Sequence, residues 1–249
     1  MTARLRVATL NLRNIMDRWE ERLPLLLADV GALRADLLGL QEVVFAVQQD
    51  RLLGAAGPDR YSIERCPAGR PEYGNATLAK APLELDDVER IDLGRERAAL
   101  RARIALADDT TLLFVVTHLH HEVGGADVRE GQVVALLDWL ERAPSTDAQV
   151  VVGDFNANPG EPACTRMEAA RFRSAYREAN GEEPRKTWPS GLNAPAIDTD
   201  GPAACLDYVW VRGPARVETA RLFCDRPAVG DPTLYPSDHL GVTAELSIG

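Results

Sequence analysis

Short apolar runs, most of them too brief to be helices, dominate the hydrophobic pattern along this chain. About ten of these runs favour strands, whereas few stretches show helical spacing. Several of the predicted strands are apolar along their whole length, which indicates that both faces of their sheets are covered. The clearest predicted strands are residues 5–12, where apolar and polar residues alternate, and residues 36–42, 111–119, 150–152 and 206–212. The pattern predicts two packed sheets with helices outside, an α/β layered sandwich.

Helical spacing is clearest in a leucine-rich stretch near the start of the chain. It predicts a helix at residues 24–35, with Pro24 in the first turn. Further helices are predicted at residues 45–53, 128–140 and 161–171. A hairpin turn is predicted at residues 108–109, and residues 181–204, which are rich in proline and glycine, are predicted to form a long loop.

The composition is that of an ordinary globular protein, with 249 residues, of which 45% are hydrophobic and 27% charged. No repeat, linker or low-complexity segment is evident, so we expect one domain over residues 1–249. The net charge of −10 disfavours non-specific adhesion to nucleic acid or anionic membranes, which depends on basic patches. A nucleic-acid substrate is still compatible with this charge, because local charge can differ from net charge.

The sequence also shows no targeting signal and no paired spacing of its cysteines. There is no long apolar run, and the first residues lack the apolar core and cleavage site of a signal peptide. The four scattered cysteines show no CxxC spacing, so neither a zinc site nor a disulfide framework is indicated. We therefore expect reduced thiols, a cytoplasmic location and no stable association with membranes. We also expect a monomer.

The stretch VVVGDFNANP at residues 150–159 carries the first candidate chemistry. Asp154 and Asn156 lie two residues apart, so an extended chain points both side chains to the same face, just past a buried strand. A carboxylate and an amide at that place suit a hard metal ion, a phosphate or an activated water. The alternative is an Asx turn, in which both side chains bond only to local backbone.

Polar residues of this kind recur at the ends of nearly all the predicted buried strands. They are Asn11, Glu42, His118, Asp154, Asn156, Asp207, Asp238 and His239. Each alone has an ordinary structural explanation: Glu42 could cap a helix, and His118 could be a hydrogen-bonded core histidine. Their joint occurrence instead favours a site built where the strands end, because all are metal-ligand or acid–base residue types.

At these same positions the chain resembles the endonuclease/exonuclease/phosphatase superfamily, the group of DNase I-like nucleases, neutral sphingomyelinases and inositol-polyphosphate 5-phosphatases. The ordered motifs are TLNLR (9–13), LQEV (40–43), YGNATLAK (73–80), VTHLHH (116–121), GDFNANP (153–159), LDYVWV (206–211) and SDHLGV (237–242). The resemblance implies a four-layered αββα sandwich of two packed mixed, mostly antiparallel sheets. It also implies hydrolysis of a phosphate ester with a divalent metal, usually Mg²⁺, with Mn²⁺ as a substitute.

The resemblance assigns roles to individual residues. The implied metal ligands are Asn11, Glu42 and Asp238. The implied catalytic residues are His118, Asp154, Asn156, Asp207 and His239, where Asp154 and Asn156 position water and phosphate, Asp207 orients His239, and His118 donates to the phosphoryl oxygens or the leaving group. The residues expected to bind substrate are Tyr73, Asn75, Arg97 and Trp188. Some relatives carry an arginine where this chain has Leu206, which removes one cation near the phosphate.

The chemistry of ester hydrolysis suits these residue types without the resemblance. A hard cation neutralises charge on the phosphoryl oxygens, a base aligns or deprotonates water, and an imidazole can relieve charge on the leaving oxygen. The sequence leaves open whether Asp154 or His239 is the base, and Asp154 is our choice.

The substrate is predicted only by class. We expect a phosphate-ester substrate, and the first hypothesis is a nuclease-like phosphodiesterase acting on a nucleic acid or a small nucleotide-like ester. The alternative is a phosphatase or a phospholipase-C-type hydrolase acting on a phospholipid, inositol or sugar phosphate. A third hypothesis is a non-catalytic binding protein of the same fold, which the intact set of candidate ligands disfavours.

Overall fold

A computed structural model describes residues 3–49, 51–52, 61–106, 109–194 and 202–249 of the chain. In chain order, its strands are β1 (Ala3–Asn11), β2 (Leu37–Val44), β3 (Tyr61–Ala68), β4 (Arg70–Lys80), β5 (Asp86–Gly94), β6 (Arg97–Ala105), β7 (Thr111–His118), β8 (Ala148–Asp154), β9 (Arg173–Ser174), β10 (Asp207–Arg212), β11 (Ala215–Phe223) and β12 (Gly241–Ile248). Its helices are α1 (Trp19–Leu33), α2 (Ala126–Glu141), α3 (Pro162–Ala169) and α4 (Ala175–Asn180), with a π-helical turn at Phe45–Gln49.

The strands form two six-stranded sheets that pack face to face. The first sheet has the order β11-β12-β1-β2-β4-β3, and the second has the order β5-β6-β7-β8-β10-β9. Only β1 with β2, and β7 with β8, run parallel among these pairs; the other neighbours are antiparallel. The predicted sandwich of two mixed, mostly antiparallel sheets is confirmed.

The two parallel pairs explain why helices cover the outer faces, because a parallel connection needs a crossover. Helix α1 joins β1 to β2, and its Leu26 packs with Leu10 outside the first sheet. Helix α2 joins β7 to β8, and its Leu136 packs with Val151 outside the second sheet. No helix in the described part of the chain is long and apolar enough to cross a membrane.

The helix predictions hold better in position than at their ends. Helix α1 begins at Trp19, five residues before the predicted start, so Pro24 lies inside the helix rather than in its first turn. The turn ahead of Pro24 contains Glu20 and Glu21, which are favourable at a helix N-terminus. Of the helix predicted at 45–53, the described part is a π-helical turn followed by residues 51–52 in helical conformation. Residue 108 of the predicted hairpin turn and residues 195–201 of the predicted long loop lie outside the described residues.

The core between the sheets is built from inward-facing rows that consist mostly of valine, alanine and leucine. Val7, Val116, Val152 and Val209 belong to one buried apolar cluster that both sheets share. The sheets approach closely at Gly39, where a Cβ atom would lie 2.4 Å from Cγ2 of Val152. Since successive inward residues are two apart, each row continues toward the strand end, where its next members are polar.

Candidate active site

The polar ends of the inward rows meet at one end of the sandwich. Asn11 and Glu42 come from the first sheet, at the ends of β1 and β2, while His118 and Asp154 end β7 and β8 of the second sheet. Nδ2 of Asn11 donates to Oδ2 of Asp154 at 3.0 Å and to Oε1 of Glu42 at 3.3 Å. Asp207 begins β10 beside Asp154, with which it pairs in register. One hydrogen-bonded cluster therefore spans the gap between the sheets.

The backbone before Asp154 leaves no room for a side chain. A Cβ atom at Gly153, whose φ is +152°, would lie 2.0 Å from the carbonyl oxygen of Thr117. Glycine is therefore required at this point of the GDFNANP motif if Asp154 is to point between the sheets.

An aspartate–histidine pair lies beside Asp154. Nδ1 of His239 is 2.8 Å from Oδ2 of Asp207, and Nε2 of the same ring is 3.7 Å from Oδ2 of Asp154. Nε2 of His118 approaches that same oxygen at 3.5 Å. All four side chains are buried, and one donor atom from each of Asp154, Asp207 and His239 lies within 4.8 Å of the others. Asp207 and Asp154 therefore face opposite nitrogens of the His239 ring, and the orienting role that the resemblance implies for Asp207 stays a prediction.

Burial and neighbouring charges shift the pKa values of these groups in different directions. Burial raises the pKa of Asp154 to about 7, with a further rise from the charge of Asp207 against the opposing charge of His239. Burial opposes protonation of His239, yet the Asp207 and Asp154 carboxylates hold its pKa well above the ordinary value. Burial and the nearby positive charge of Arg97 lower the pKa of His118 well below its ordinary value. The site therefore holds a charged imidazole and a neutral one on either side of a single carboxyl group.

The backbone is strained where Glu42 enters the site. Glu42 has a φ of +55°, and the pairing of β2 with β4 is irregular between Leu40 and Val43. Such conformations cost about 1–3 kcal/mol and persist only where the surroundings fix them. Nδ2 of Asn14 donates to Oε2 of Glu42 at 3.1 Å. Tyr73 also lies near Glu42, and burial together with the charge of Glu42 raises the pKa of its hydroxyl group. The bulge aims a carboxylate, held by neighbouring side chains, into the site.

Asp238 lies on a loop that several segments hold in place. Oγ of Ser237 donates to the carbonyl oxygen of Asn11 at 2.6 Å, and the amide of Ser190 donates to the carbonyl oxygen of Asp238 at 2.7 Å. Oδ2 of Asp238 lies 3.7 Å from Nε of Arg13, a residue that the sequence did not single out. The buried hydroxyl of Thr187 accepts from the amide of Asp207 at 3.1 Å, and it too was missed.

The structure shows the Asx turn at Asp154, and the functional interpretation of Asp154 and Asn156 stays a prediction. The amide of Asn156 donates to Oδ1 of Asp154 at 2.9 Å, which is the local contact of an Asx turn. Nδ2 of Asn156 donates to the carbonyl oxygen of Leu119 at 3.0 Å and so joins the turn to the segment that follows β7. The other oxygen of Asp154 faces Asn11 and the two histidines, so the turn fixes the carboxylate without using all of it.

The residues predicted to bind substrate fall into two groups. Tyr73, Asn75 and Arg97 line one crevice together with Glu42 and His118. Nδ2 of the buried Asn75 donates to the carbonyl oxygen of Ala98, which leaves a structural role for its amide group. Arg97 contacts Nδ1 of His121 at 2.7 Å through Nη2, while its buried Nε has no hydrogen-bond partner among the described residues.

Trp188 belongs to the second group, on the loop that leads into β10. Its backbone pairs with that of Ala204, and its side chain is half-buried. The neighbouring Lys186 donates from Nζ to the carbonyl oxygens of Pro189 and Ser190, at 2.7 and 3.3 Å. Stacking of Trp188 on a substrate stays a prediction, while Lys186 serves the loop's own backbone.

The donor set suits a divalent cation. The carboxylates of Glu42 and Asp238 and the carboxamide oxygen of Asn11 are the hard oxygen ligands that Mg²⁺ prefers. Although burial lowers it, the pKa of Arg13 is raised overall by the charges of Asp238, Asp17 and Glu42, which shows how strongly this pocket attracts positive charge. Oδ1 of Asp207 is buried with no hydrogen-bond partner in the described part of the chain, so the second carboxylate group also has an unused oxygen.

A four-layered sandwich with carboxylates, amides and imidazoles gathered where its inner strands end is the architecture of the DNase I-like phosphoesterases. Residues 8–239 match the Endonuclease/Exonuclease/phosphatase family, to which the chain therefore belongs. The resemblance carried by the sequence motifs is confirmed. Members of this family are hydrolytic phosphoesterases.

Among curated proteins, the chain is similar to Nocturnin. It is 29% identical to the protein from Xenopus laevis over 259 residues, which cover 92% of this chain and 65% of the relative. It is 28% identical to human Nocturnin over 263 residues, which cover 92% of this chain and 58% of the relative. The chain thus spans less than two thirds of the length of either relative.

Solved structures share the fold. The human Nocturnin catalytic domain with bound sulfate anion has a TM-score of 0.80 at 23% identity, over 99% of this chain and 95% of that one. An endonuclease/exonuclease/phosphatase from Bacteroides vulgatus has a TM-score of 0.79 at 19% identity, covering 99% and 100%. TDP2 from D. rerio, complexed with single strand DNA product, has a TM-score of 0.78 at 17% identity, covering 98% and 99%.

Proposed function

We propose that this protein is a divalent-metal-dependent phosphodiesterase with nuclease-like activity. The observation that carries the proposal is the position of Asp154. Its Oδ2 atom accepts from Asn11 and faces both His118 and His239, so one carboxylate oxygen is surrounded by three groups that can contact a phosphate and its attacking water. This arrangement has no packing purpose, because the same rows are filled with valine further inside.

The proposed metal ligands are Glu42, Asp238 and Asn11, with Mg²⁺ as the preferred ion and Mn²⁺ as a substitute. We choose this set over Asp154, Asp207 and His239 because Asp207 and His239 already bond to each other at 2.8 Å. When bound, the cation supplies Lewis-acid neutralisation of the phosphoryl oxygens.

Each of the remaining side chains has its own proposed role in hydrolysis of the ester. Asp154 aligns a water molecule with the phosphorus atom and accepts its proton, while the new P–O bond forms and the bond to the leaving oxygen breaks. His239, oriented by Asp207, contacts a phosphoryl oxygen, and His118 contacts another or the leaving oxygen. Asn156 supports the turn that holds Asp154. General acid–base groups of this kind contribute about 10²–10⁴-fold in rate.

The substrate, partners and location complete the proposal. Nucleic acid is the proposed substrate, which is supported by the fold shared with TDP2 in its complex with single strand DNA product. The four cysteines are buried free thiols, which supports a cytoplasmic location. We further propose a single domain that acts as a monomer without stable membrane association, with Tyr73, Asn75, Arg97 and Trp188 beside the substrate.

Hydrolysis of bis-p-nitrophenyl phosphate with Mg²⁺ or Mn²⁺ tests the chemistry. Asp154→Asn should lose activity by at least the factor expected of an acid–base group. Asp36→Asn is the matched control, because Asp36 pairs with Lys80 at the opposite end of the sheet and should leave turnover unchanged. Absence of turnover by the unaltered protein with every divalent metal tried would contradict the proposal.

A substrate panel then separates the classes. Single-stranded DNA, duplex DNA, RNA, sphingomyelin and inositol phosphates should be offered at equal concentration. We expect cleavage of the single-stranded polynucleotides at the highest kcat/KM. Preferential release of phosphate or phosphocholine from the last two would replace the nuclease proposal with the phosphatase or phospholipase-C-type alternative.

A further inference from the structure

The loop that follows β1 has a strained backbone and little packing of its own. Four residues without a glycine's freedom have positive φ angles: Arg13 (54°), Asn14 (35°), Asp17 (52°) and Arg18 (61°). Of the apolar side chains of the loop, only Leu12 at its start is buried, whereas Ile15 is 44% and Met16 51% exposed. Strained segments of this kind persist only when the surroundings fix them. Beyond Leu12, something other than apolar burial therefore holds the loop.

Arg22, in the first turns of α1, provides that anchor. Its side chain is completely buried, and all the acceptors of its guanidinium among the described residues are backbone carbonyl oxygens. The acceptors are those of Leu12 (3.0 Å), Arg13 (3.2 Å), Asn14 (3.1 Å), Met16 (2.8 Å), Asp17 (2.7 Å) and Pro236 (2.9 Å). Five of these acceptors belong to the loop, so one guanidinium group holds the loop's backbone.

The same guanidinium joins the two segments that approach the proposed metal ligands. In the loop that follows β1, Asn14 donates to Glu42 and Arg13 lies beside Asp238. The sixth acceptor, Pro236, comes two residues before Asp238 on a separate segment of the chain. Arg22 thus lies behind both carboxylates, where it contacts neither but holds the backbone that surrounds each of them.

We propose that Arg22 is a positioning residue that sets the spacing of the Glu42 and Asp238 carboxylates and thereby the affinity of the site for its divalent cation. This inference rests on the proposed metal-dependent function. A guanidinium is suited to the task because it offers five N–H donors in a rigid plane, whereas an ammonium group offers three from a single point. Burial lowers the pKa of Arg22 to about 10, so the group stays charged at neutral pH.

The test compares two arginine-to-lysine variants. R22K keeps the positive charge but cannot reach six carbonyl oxygens, so it separates geometry from charge. R101K is the matched control: Arg101 is also buried, stacks over Trp139 at 4.3 Å and donates to its carbonyl oxygen, far from the site on the outer face of β6. Both variants should lose thermal stability.

The readout is the affinity for Mn²⁺, measured by titration calorimetry. A purely structural role of Arg22 would leave this affinity unchanged. We expect R22K to bind Mn²⁺ at least about tenfold more weakly, which is the effect typical of losing a group that supports a metal ligand. R101K should keep the affinity of the unaltered protein. Equal Mn²⁺ affinity in R22K and the unaltered protein would overturn the role of Arg22, as would an equal loss in R101K.

Hydrogen exchange on the unaltered protein gives a second test that needs no variant to fold. Since coupling between sites is reciprocal, Mn²⁺ should slow amide exchange in residues 12–17 as well as in residues 237–239. Slower exchange confined to residues 237–239 would overturn the coupling through Arg22. A protein that binds no Mn²⁺ at all would instead refute the proposed function, which is a distinct result.

Discussion

Asn11 of the first sheet donates a hydrogen bond of 3.0 Å to Asp154 of the second sheet. The two residues are the last members of inward-facing rows on β1 and β8, so their contact closes the apolar core at the point where the candidate site begins. The second acceptor of the same amide group is Glu42. Asn11 therefore connects the proposed general base with a proposed metal ligand.

Replacing Asn11 by alanine removes both a proposed metal ligand and the donor to Asp154 and Glu42, so kcat should fall by at least about 10–100-fold. Thermal stability should also fall, by about 1–3 kcal/mol, because the buried carboxylate of Asp154 loses a hydrogen-bond donor. Steady-state kinetics on bis-p-nitrophenyl phosphate at saturating metal provide the measurement. Asn180→Ala is the control, since Nδ2 of Asn180 donates to the carbonyl oxygens of Tyr176 and Ala220 at the end of a helix. A wild-type kcat in the Asn11 variant would contradict the assignment.

The strand ends could be predicted from sequence because their signal is local. A run such as VVVGD contains its own strand, its own turn and its own carboxylate, and strand geometry fixes the side toward which Asp154 points. The same holds for Asn11 and His118, which continue apolar rows. Local pattern and global fold agree at these positions, and the predicted residues meet in the structure.

The supporting residues could not be predicted, because their partners are backbone groups far away in the sequence. Arg22 binds the carbonyl oxygen of Pro236, and the hydroxyl of Thr187 accepts from the amide of Asp207. No spacing rule connects such pairs, and a buried arginine in a leucine-rich helix resembles a solvent-exposed one. The early start of α1 also lies beyond local pattern, since the sequence rule places Pro24 in the first turn although the helix begins five residues earlier.

Gly39 should tolerate no side chain. A Cβ atom there would lie 2.4 Å from Cγ2 of Val152 and 3.0 Å from Cγ2 of Val116, so Gly39→Ala forces the two sheets apart. Overpacking of this kind costs about 1–3 kcal/mol of unfolding free energy. Urea denaturation gives the measurement, and the second substitution Val152→Ala should recover part of the loss.

Gly131 supplies the control for that experiment. It is exposed in α2 and a Cβ atom there meets nothing within 4 Å, so Gly131→Ala should stabilise the protein by about 0.5–1 kcal/mol through helix propensity. A Gly39→Ala variant at least as stable as the unaltered protein would refute the close contact between the sheets at Gly39.

Glu183 should make stability depend on pH in a direction opposite to that of most carboxylates. Burial raises its pKa above the ordinary value of 4.5, against the lowering effects of Ser174 and Arg177. The folded state therefore binds this proton more tightly than the unfolded state. The resulting stabilisation is fully present below pH 4.5 and is lost as pH rises through the folded pKa.

Glu183→Gln removes that titration while keeping an oxygen that can accept from Oγ of Ser174, as Glu183 does at 2.8 Å. Relative to the unaltered protein, the variant should be more stable at pH 7 than at pH 4, as measured by urea unfolding at both values. Glu141→Gln, at an exposed glutamate paired with Arg212, controls for general charge effects. A difference between variant and unaltered protein that is the same at both pH values would show that Glu183 titrates normally.

Metal affinity should distinguish the two carboxylate groups of the site. If Glu42 and Asp238 hold the cation, Glu42→Gln should weaken Mn²⁺ binding by about 10-fold or more. The rise in Tm that Mn²⁺ causes should then be smaller, because a ligand stabilises the folded protein by RT ln(1 + [L]/Kd). Asp207→Asn should reduce turnover while leaving Mn²⁺ affinity nearly unchanged, because Asp207 bonds to His239 instead. Calorimetric titration of both variants measures this directly. The reverse order of affinities would move the metal to the group formed by Asp154, Asp207 and His239.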